Sequence, residues 1–271
     1  MKKIERDRFT QNFINRGTLC RTLAGNRCEY ITITSKEKDP FSEKSKAKRG
    51  VLLSARVHPG ESNASWMMKG VIEFLVSNTA EAQALRENFV FKIIPMLNPD
   101  GVINGNYRCS LAGQDLNRRW KVPQRYLHPV NWHAKKMLRE FNKERDIVLV
   151  CDLHGHSRRK NIFMYGNNYD NRPHATRVFP FIMSKLMDFF SFEYSRFSVH
   201  KSKEATARVT LWRELKNCAN VFTMEASFCG ADKGALKNKH FMPEHLMLSG
   251  RKLMEALIVF TKIPVKPLKP S

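Results

Sequence analysis

Val51-Leu52-Leu53-Ser54-Ala55-Arg56-Val57-His58-Pro59-Gly60-Glu61 is the stretch that decides the fold. The apolar run over residues 51–57 is short and almost continuous, so it reads as a buried strand that delivers His58 at its C-terminal tip. Past the Pro-Gly turn, Ala64, Met67, Met68, Val71, Ile72 and Leu75 recur at the helical period, with Ser62 or Asn63 as the capping residue. Strand, turn and helix in that order open an α/β fold.

The pattern repeats outward. Residues 29–34, rich in β-branched side chains, form a strand, and the charged stretch 36–49 with Pro40 inside it forms a loop facing water. Residues 89–96 are the next apolar strand. Asn98-Pro99-Asp100-Gly101 follows as turn chemistry, Pro fixing φ and Gly permitting φ above zero, and a long polar loop runs on to about Trp120. Ala134, Met137, Leu138 and Phe141 mark a helix, and residues 147–153 are a continuous apolar strand ending at His154. A helix over 178–190, a strand over 221–225 and a terminal helix over 244–260 complete the reading. The tail 263–271, with three prolines and no room for a core, is expected to fray. Chemistry-bearing residues thus fall at C-terminal strand tips, where open α/β sheets place their ligand crevice.

The composition, 271 residues and 42% hydrophobic, allows one large core or at most two small ones, and one domain is the expectation. The 47 Lys and Arg outnumber 25 Asp and Glu, giving +22, a balance that favours a polyanionic partner such as nucleic acid, an acidic membrane surface or an acidic polypeptide. Six cysteines without a C-x-x-C pair suggest reduced thiols and a cytosolic protein. Met1-Lys2-Lys3-Ile4-Glu5-Arg6 leads into no signal core, and no stretch approaches the roughly 18 apolar residues of a membrane span. A soluble, unsecreted, cytoplasmic chain is the expectation.

A catalytic zinc takes three protein ligands, commonly two imidazoles and a carboxylate, and leaves a fourth position open. His58-Pro59-Gly60-Glu61 supplies two, because the tight turn lets ligands three apart face one ion. His154 is the candidate third ligand. Alone, an H-x-x-E pair is weak, since His and Glu commonly cap helices or pair on surfaces.

Three further motifs strengthen it: Asp115-Leu116-Asn117-Arg118, Asp152-Leu153-His154-Gly155-His156-Ser157 and Phe222-Thr223-Met224-Glu225-Ala226-Ser227. Taken with the His58 and Asn98 motifs, in this order and at these separations, they resemble the metallocarboxypeptidases, and within them the cytosolic carboxypeptidases that trim glutamate from tubulin tails and other acidic proteins. The resemblance covers roughly residues 19–241. It implies a single catalytic domain over residues 15–262, built on a central mixed twisted β-sheet flanked by helices, with residues 1–14 unassigned. That subfamily typically carries a β-sandwich domain ahead of the catalytic one, and this chain begins too late to contain it.

The resemblance also implies roles. One Zn2+ per chain is held by His58, Glu61 and His154, and Glu225 is the general base that passes a proton to the leaving amine. Apolar neighbours of Glu225 suggest a partly desolvated carboxylate with a raised pKa. Asn117 and Arg118 match a clamp for the substrate's free carboxylate, Arg108 matches the oxyanion-holding arginine, and Asp115 matches a carboxylate behind a ligand histidine, here His58. In Ala205-Thr206-Ala207-Arg208-Val209, Arg208 corresponds to a cation at the floor of the side-chain pocket, selecting Glu or Asp. His156 lines the groove without a zinc role, Arg119 is left as solvated surface, and no groove tyrosine is assigned. His128, His133, His200, His240 and His245 read as ordinary imidazoles. The implied function is a zinc carboxypeptidase removing C-terminal or branch-point glutamate from acidic tails such as tubulin's, with no specific nucleic acid and no membrane partner. The alternatives are a zinc amidohydrolase acting on small acyl-amino acids, and a non-catalytic basic protein binding microtubules or nucleic acid.

Overall fold

A strand buried on both faces reads as a continuous apolar run, and the four such runs at 51–57, 89–96, 147–153 and 221–225 all lie in the middle of one sheet. The computed structural model describes residues 9–267 except 38, 40, 41, 170 and 171. Among the described residues the strands are β1 (Ile14–Arg21), β2 (Arg27–Ile33), β3 (Arg49–Ala55), β4 (Phe89–Ile94), β5 (Ile147–His156), β6 (Ile162–Tyr165) and β7 (Val221–Ser227), in the order β1-β2-β4-β3-β5-β7-β6. The central β4, β3, β5 and β7 are parallel, whereas β1, β2 and β6 join antiparallel at the two sides. The sheet is mixed, as expected.

The helices are α1 (Glu43–Lys46), α2 (Ser62–Leu75), α3 (Ala80–Asn88), α4 (Pro99–Ile103), α5 (Pro129–Glu144), α6 (Val178–Leu186), α7 (Ala207–Glu214) and α8 (Pro243–Thr261). Side chains alternate across a strand, so each central strand feeds two layers. Val51, Leu53, Cys151 and Met224 pack with Met67 and Val71 of α2 and Leu253 of α8. Leu52, Val150 and Val221 pack on the other face with Leu138 of α5 and Leu211 of α7. The α2–α8 contact is close enough that a Cβ on Gly70 would strike the Met247 carbonyl, and one on Gly250 the Met67 carbonyl.

Strand order places the crevice. From β3 the chain moves to β4 on one side, then crosses to β5 on the other. Loops leaving β3 and β5 therefore diverge at their C-terminal ends, the switch point where open α/β sheets bind ligands.

Several local expectations change. Neither Ser62 nor Asn63 caps α2: Glu61 occupies that position without a side-chain cap bond, because its carboxylate faces two histidines instead. Asn63 is buried and donates from Nδ2 to the Ala226 carbonyl at 2.7 Å, tying α2 to β7. Asn98-Pro99-Asp100-Gly101 forms the start of α4, capped by the Asn98 side chain, and Gly101 does not have positive φ. Glycine is required there for space, since a Cβ would meet Pro59 and the Cys109 carbonyl. The loop 36–49 holds α1 and is not wholly water-facing, because buried Lys48 donates to the Ser35 carbonyl at 2.5 Å and pairs with Glu37 at 3.1 Å. The strands β1 and β6 and the helices α3 and α7 are additional to the sequence pattern, β5 and β7 each run two or more residues further, and α6 stops at Leu186. In the tail, Ile263 packs into the core and 264–267 are exposed without regular structure. The tail's last residues, 268–271, and residues 1–8 of the unassigned start lie outside the described residues.

Candidate active site

The turn after β3 is held from both sides. Arg56 takes a positive φ of 60° and donates from Nε to the Pro59 carbonyl at 2.7 Å, while Asn98 Nδ2 donates to the Val57 carbonyl at 3.1 Å. The Glu61 amide closes the turn onto the His58 carbonyl at 3.2 Å. His58 Nδ1 then lies 2.7 Å from Glu61 Oε1. His154, near the end of β5, brings Nδ1 to 3.0 Å from Glu61 Oε2. One donor atom from each of the three buried residues falls within 4.8 Å of the others, the one such group among the described residues.

Each ring turns its other nitrogen onto a second carboxylate. His58 Nε2 donates to Asp115 Oδ1 at 3.1 Å. His154 Nε2 donates to Asp152 Oδ2 at 2.7 Å, and Asp152 Oδ1 accepts from Ser54 Oγ at 2.7 Å, its register neighbour on β3. Asp152 shares the sequence motif of His154, which by itself assigns it no role. The signal was available, since residues two apart on a strand share a face. Burial raises the His154-facing carboxyl of Glu61, but His154 and His58 outweigh it and hold the group well below the usual carboxylate range. Burial likewise opposes charge on His154, yet Asp152 and Glu61 together raise its pKa well above that of a free imidazole.

Two imidazoles and a carboxylate converging on one point, with outer nitrogens already satisfied, fit a zinc ion and its supporting carboxylates. Glu225 fits the remaining side of such a site. It is the register partner of His154 across β5 and β7, and its Oε2 is buried with no hydrogen-bond partner among the described residues. Burial pushes its pKa up to about 7, His154 and His58 pulling it down and Glu61 and Asp152 adding to the rise.

The expected substrate-binding residues gather around the same cleft, about 670 Å³ in volume. Asp115 starts the turn Leu116–Arg118 by accepting the Asn117 amide at 2.8 Å, and Asn117 Oδ1 accepts the Ala207 amide at 2.9 Å. Arg108 donates from Nε to Asp115 Oδ2 at 2.9 Å. Arg208, on α7, is 6% exposed; it donates to the Gly166 carbonyl and, at 3.1 Å, to Asn167 Oδ1. Burial lowers its pKa to about 10. Arg108, Asn117, Arg118 and Arg208 all line the cleft with the three clustered residues and Glu225. His156 lines it too, outside the metal-type cluster. Reading the sequence missed Tyr165 and Lys203, and it set His200 aside, yet all three line the cleft. Tyr165 belongs to β6 and Lys203 precedes α7, both unread elements without a periodic apolar signal. A further cavity of about 820 Å³, edged by Lys44, Lys48 and Pro264, carries no comparable cluster among the described residues.

Comparison with known proteins adds the family. Residues 10–246 match the family described as zinc carboxypeptidase, and the chain belongs to that family, one of zinc-dependent peptide hydrolases. It is 49% identical over 245 residues to cytosolic carboxypeptidase 2 of Mus musculus, covering 89% of this chain and 28% of that protein. It is 44% identical over 260 residues to cytosolic carboxypeptidase 3 of Bos taurus, covering 94% and 25%. The chain thus spans about a quarter of the length of these relatives. Among solved structures it resembles a metallo-carboxypeptidase from Burkholderia cenocepacia, with TM-score 0.81, 21% identity and coverage of 96% of this chain and 67% of that one. Carboxypeptidase A of Helicoverpa armigera gives 0.65 and 15%, covering 93% and 69%. All six cysteines are free thiols, and no helix among the described residues is long and apolar enough to cross a membrane.

Proposed function

We propose that residues 15–262 form the catalytic domain of a cytoplasmic zinc carboxypeptidase that removes C-terminal or branch-point glutamate from acidic protein tails, polyglutamylated tubulin among them. The observation that carries the substrate is Arg208: a buried guanidinium with no ion pair among the described residues, in the cleft that also holds the His-Glu-His cluster. A buried cation without a counter-ion is costly, and an incoming acidic side chain supplies one.

In this reading His58, Glu61 and His154 hold zinc, and Asp115 and Asp152 fix the ring orientations. Zinc bound there supplies Lewis acidity, polarising a carbonyl and lowering the pKa of water to about 7. Asn117 and Arg118 grip the substrate's terminal carboxylate, which admits a chain end and excludes an internal bond. Glu225, its carboxyl raised to about 7 by burial, takes a proton from the attacking water and hands it to the departing amine as the C–N bond breaks. Arg108, oriented by Asp115, steadies the oxyanion. The excess of 47 basic over 25 acidic residues steers an acidic tail toward the site.

The test is to incubate the zinc-loaded protein with peptides ending in Glu or in Gln, and with N-acyl-glutamate, identifying released amino acids by mass. Glutamate release from the Glu-ended peptide, with Arg208→Met erasing the preference over Gln, is expected. Release from the acyl amino acid alone would replace the peptidase with an amidohydrolase, and no release at all would leave a binding protein.

A further inference from the structure

We propose that Lys203 is a specificity-determining residue of this cleft, the mobile third cation of a cradle that holds a terminal residue bearing two carboxylates. The inference rests on the glutamate-releasing reading above and adds to it a residue that neither the sequence motifs nor the cluster geometry assigned.

Lys203 closes the short turn Lys201–Lys203, which His200 starts by accepting the Ser202 amide on Nδ1 at 3.3 Å. Its own carbonyl accepts both the Thr206 amide at 3.1 Å and Thr206 Oγ1 at 2.7 Å. Thr206 is the N-cap of α7, two residues before Arg208. The backbone of Lys203 is therefore fixed relative to Arg208, while its four-carbon stem is free.

The residue as a whole is exposed, yet its side chain lines the cleft. Among the described residues no hydrogen bond or ion pair engages its ammonium. The adjacent acid is turned elsewhere: Glu204 pairs with Arg213 at 3.4 Å and Lys121 at 3.8 Å. The charges that act on Lys203 are Arg118, Arg108 and Arg208 on the repulsive side and Glu225 on the attractive side. Partial desolvation first, then Arg118 and Arg108, hold its pKa below that of an ordinary lysine.

Lys203 thus shares one cleft with a clamp for a terminal carboxylate, Arg118, and a buried guanidinium, Arg208, and feels the charge of both. A neutral terminal residue satisfies only the clamp. A terminal glutamate carries one carboxylate for Arg118 and one for Arg208, and a flexible ammonium with three donors can bridge the two. Such a ligand relieves the mutual repulsion that Lys203 shares with the arginines, and a neutral terminal residue does not, which makes the contribution of Lys203 selective.

The experiment compares steady-state release of Glu and Gln from otherwise identical peptides by the zinc-loaded wild type, Lys203→Met and Lys203→Arg. Loss of one charge-assisted contact predicts about a tenfold rise in KM for the Glu-ended peptide in Lys203→Met. A rise of about threefold or less is expected for the Gln-ended one, with Lys203→Arg recovering most of the difference. Because the side chain makes no bond among the described residues, zinc content and melting temperature of Lys203→Met are expected to match wild type, which separates a binding defect from a folding one. If wild type shows no preference for Glu, the glutamate reading itself falls, and this inference with it. If wild type prefers Glu and Lys203→Met changes both peptides equally, or neither, Lys203 is removed from the cradle while Arg208 keeps its role.

Discussion

Replacing Asp152 with asparagine tests the zinc centre from a position that never meets substrate. Asp152 is 1% exposed and uses both oxygens, Oδ2 accepting from His154 Nε2 and Oδ1 from Ser54 Oγ, each at 2.7 Å. Asparagine has one acceptor oxygen where aspartate has two, so it can accept only one of these bonds. With its carbonyl toward His154 the hydrogen bond survives but loses its ionised acceptor. With its amide nitrogen toward His154, the ring must carry its proton on Nδ1, the nitrogen that faces Glu61, and that proton blocks a metal. Loss of such a supporting carboxylate weakens metal affinity by about 10- to 100-fold, or about 1.4 to 2.8 kcal/mol. Asp115→Asn should weaken it less, because the Asp115 side chain is 20% exposed and water can replace part of its bond to His58. Competition for zinc against a fluorescent chelator at fixed pH reads both variants. Peptidase activity of Asp152→Asn should recover as zinc is added. Wild-type affinity in Asp152→Asn, or a larger loss in Asp115→Asn, would refute the assignment of His154 as a ligand oriented from behind.

Glu225→Gln should retain zinc yet lose about 10²- to 10⁴-fold in kcat, the range for removing a general base, as read by single-turnover release of a terminal residue. In the wild type the acid limb of kcat/KM should lie between the ordinary carboxyl value of 4.5 and about 7, since burial raises the group and a nearby divalent cation lowers it; activity rises as pH passes upward through this limb. Zinc affinity should fall as pH drops, because Asp152 and Glu61 keep a proton on metal-free His154 to higher pH than on a free imidazole, and zinc must displace it. Calorimetry in buffers of different ionisation enthalpy would register the released proton. Gly70→Ala should cost about 1 to 3 kcal/mol in denaturant unfolding, since the added methyl meets the Met247 backbone where α2 and α8 touch.

How much of this was legible follows from burial. β3, β5 and β7 sit mid-sheet with nearly every residue buried, so the histidines at the ends of the apolar runs before His58 and His154 stand out, whereas Glu225 near the end of β7 reads as a candidate only through its motif. β1 was invisible because it mixes intermediate and exposed positions, and Asn15, Arg16, Gly17 and Thr18 give no alternation. β6 has only four residues. Asp152 was passed over because its role depends on register, with Ser54 on one side and His154 two residues ahead. Ser62 and Asn63 carried a capping signal that tertiary contacts overrode, since Glu61 is fixed by His58, His154 and the Gly155 amide at 3.0 Å. Lys203 lies on a short turn whose importance comes only from what stands opposite it in the cleft. Arg208 could be suspected from its motif, but its burial and missing counter-ion required the helix α7 to be in place.

The most direct test of the account pairs two peptides that differ only in a free or an amidated C-terminus, presented to the zinc-loaded protein with the liberated amino acid quantified. A His58–Glu61–His154 zinc site beside an Asn117–Arg118 clamp predicts release from the free end, abolished by a chelator, with the amide essentially untouched. Equal cleavage of both peptides, or release that persists without metal, would contradict it.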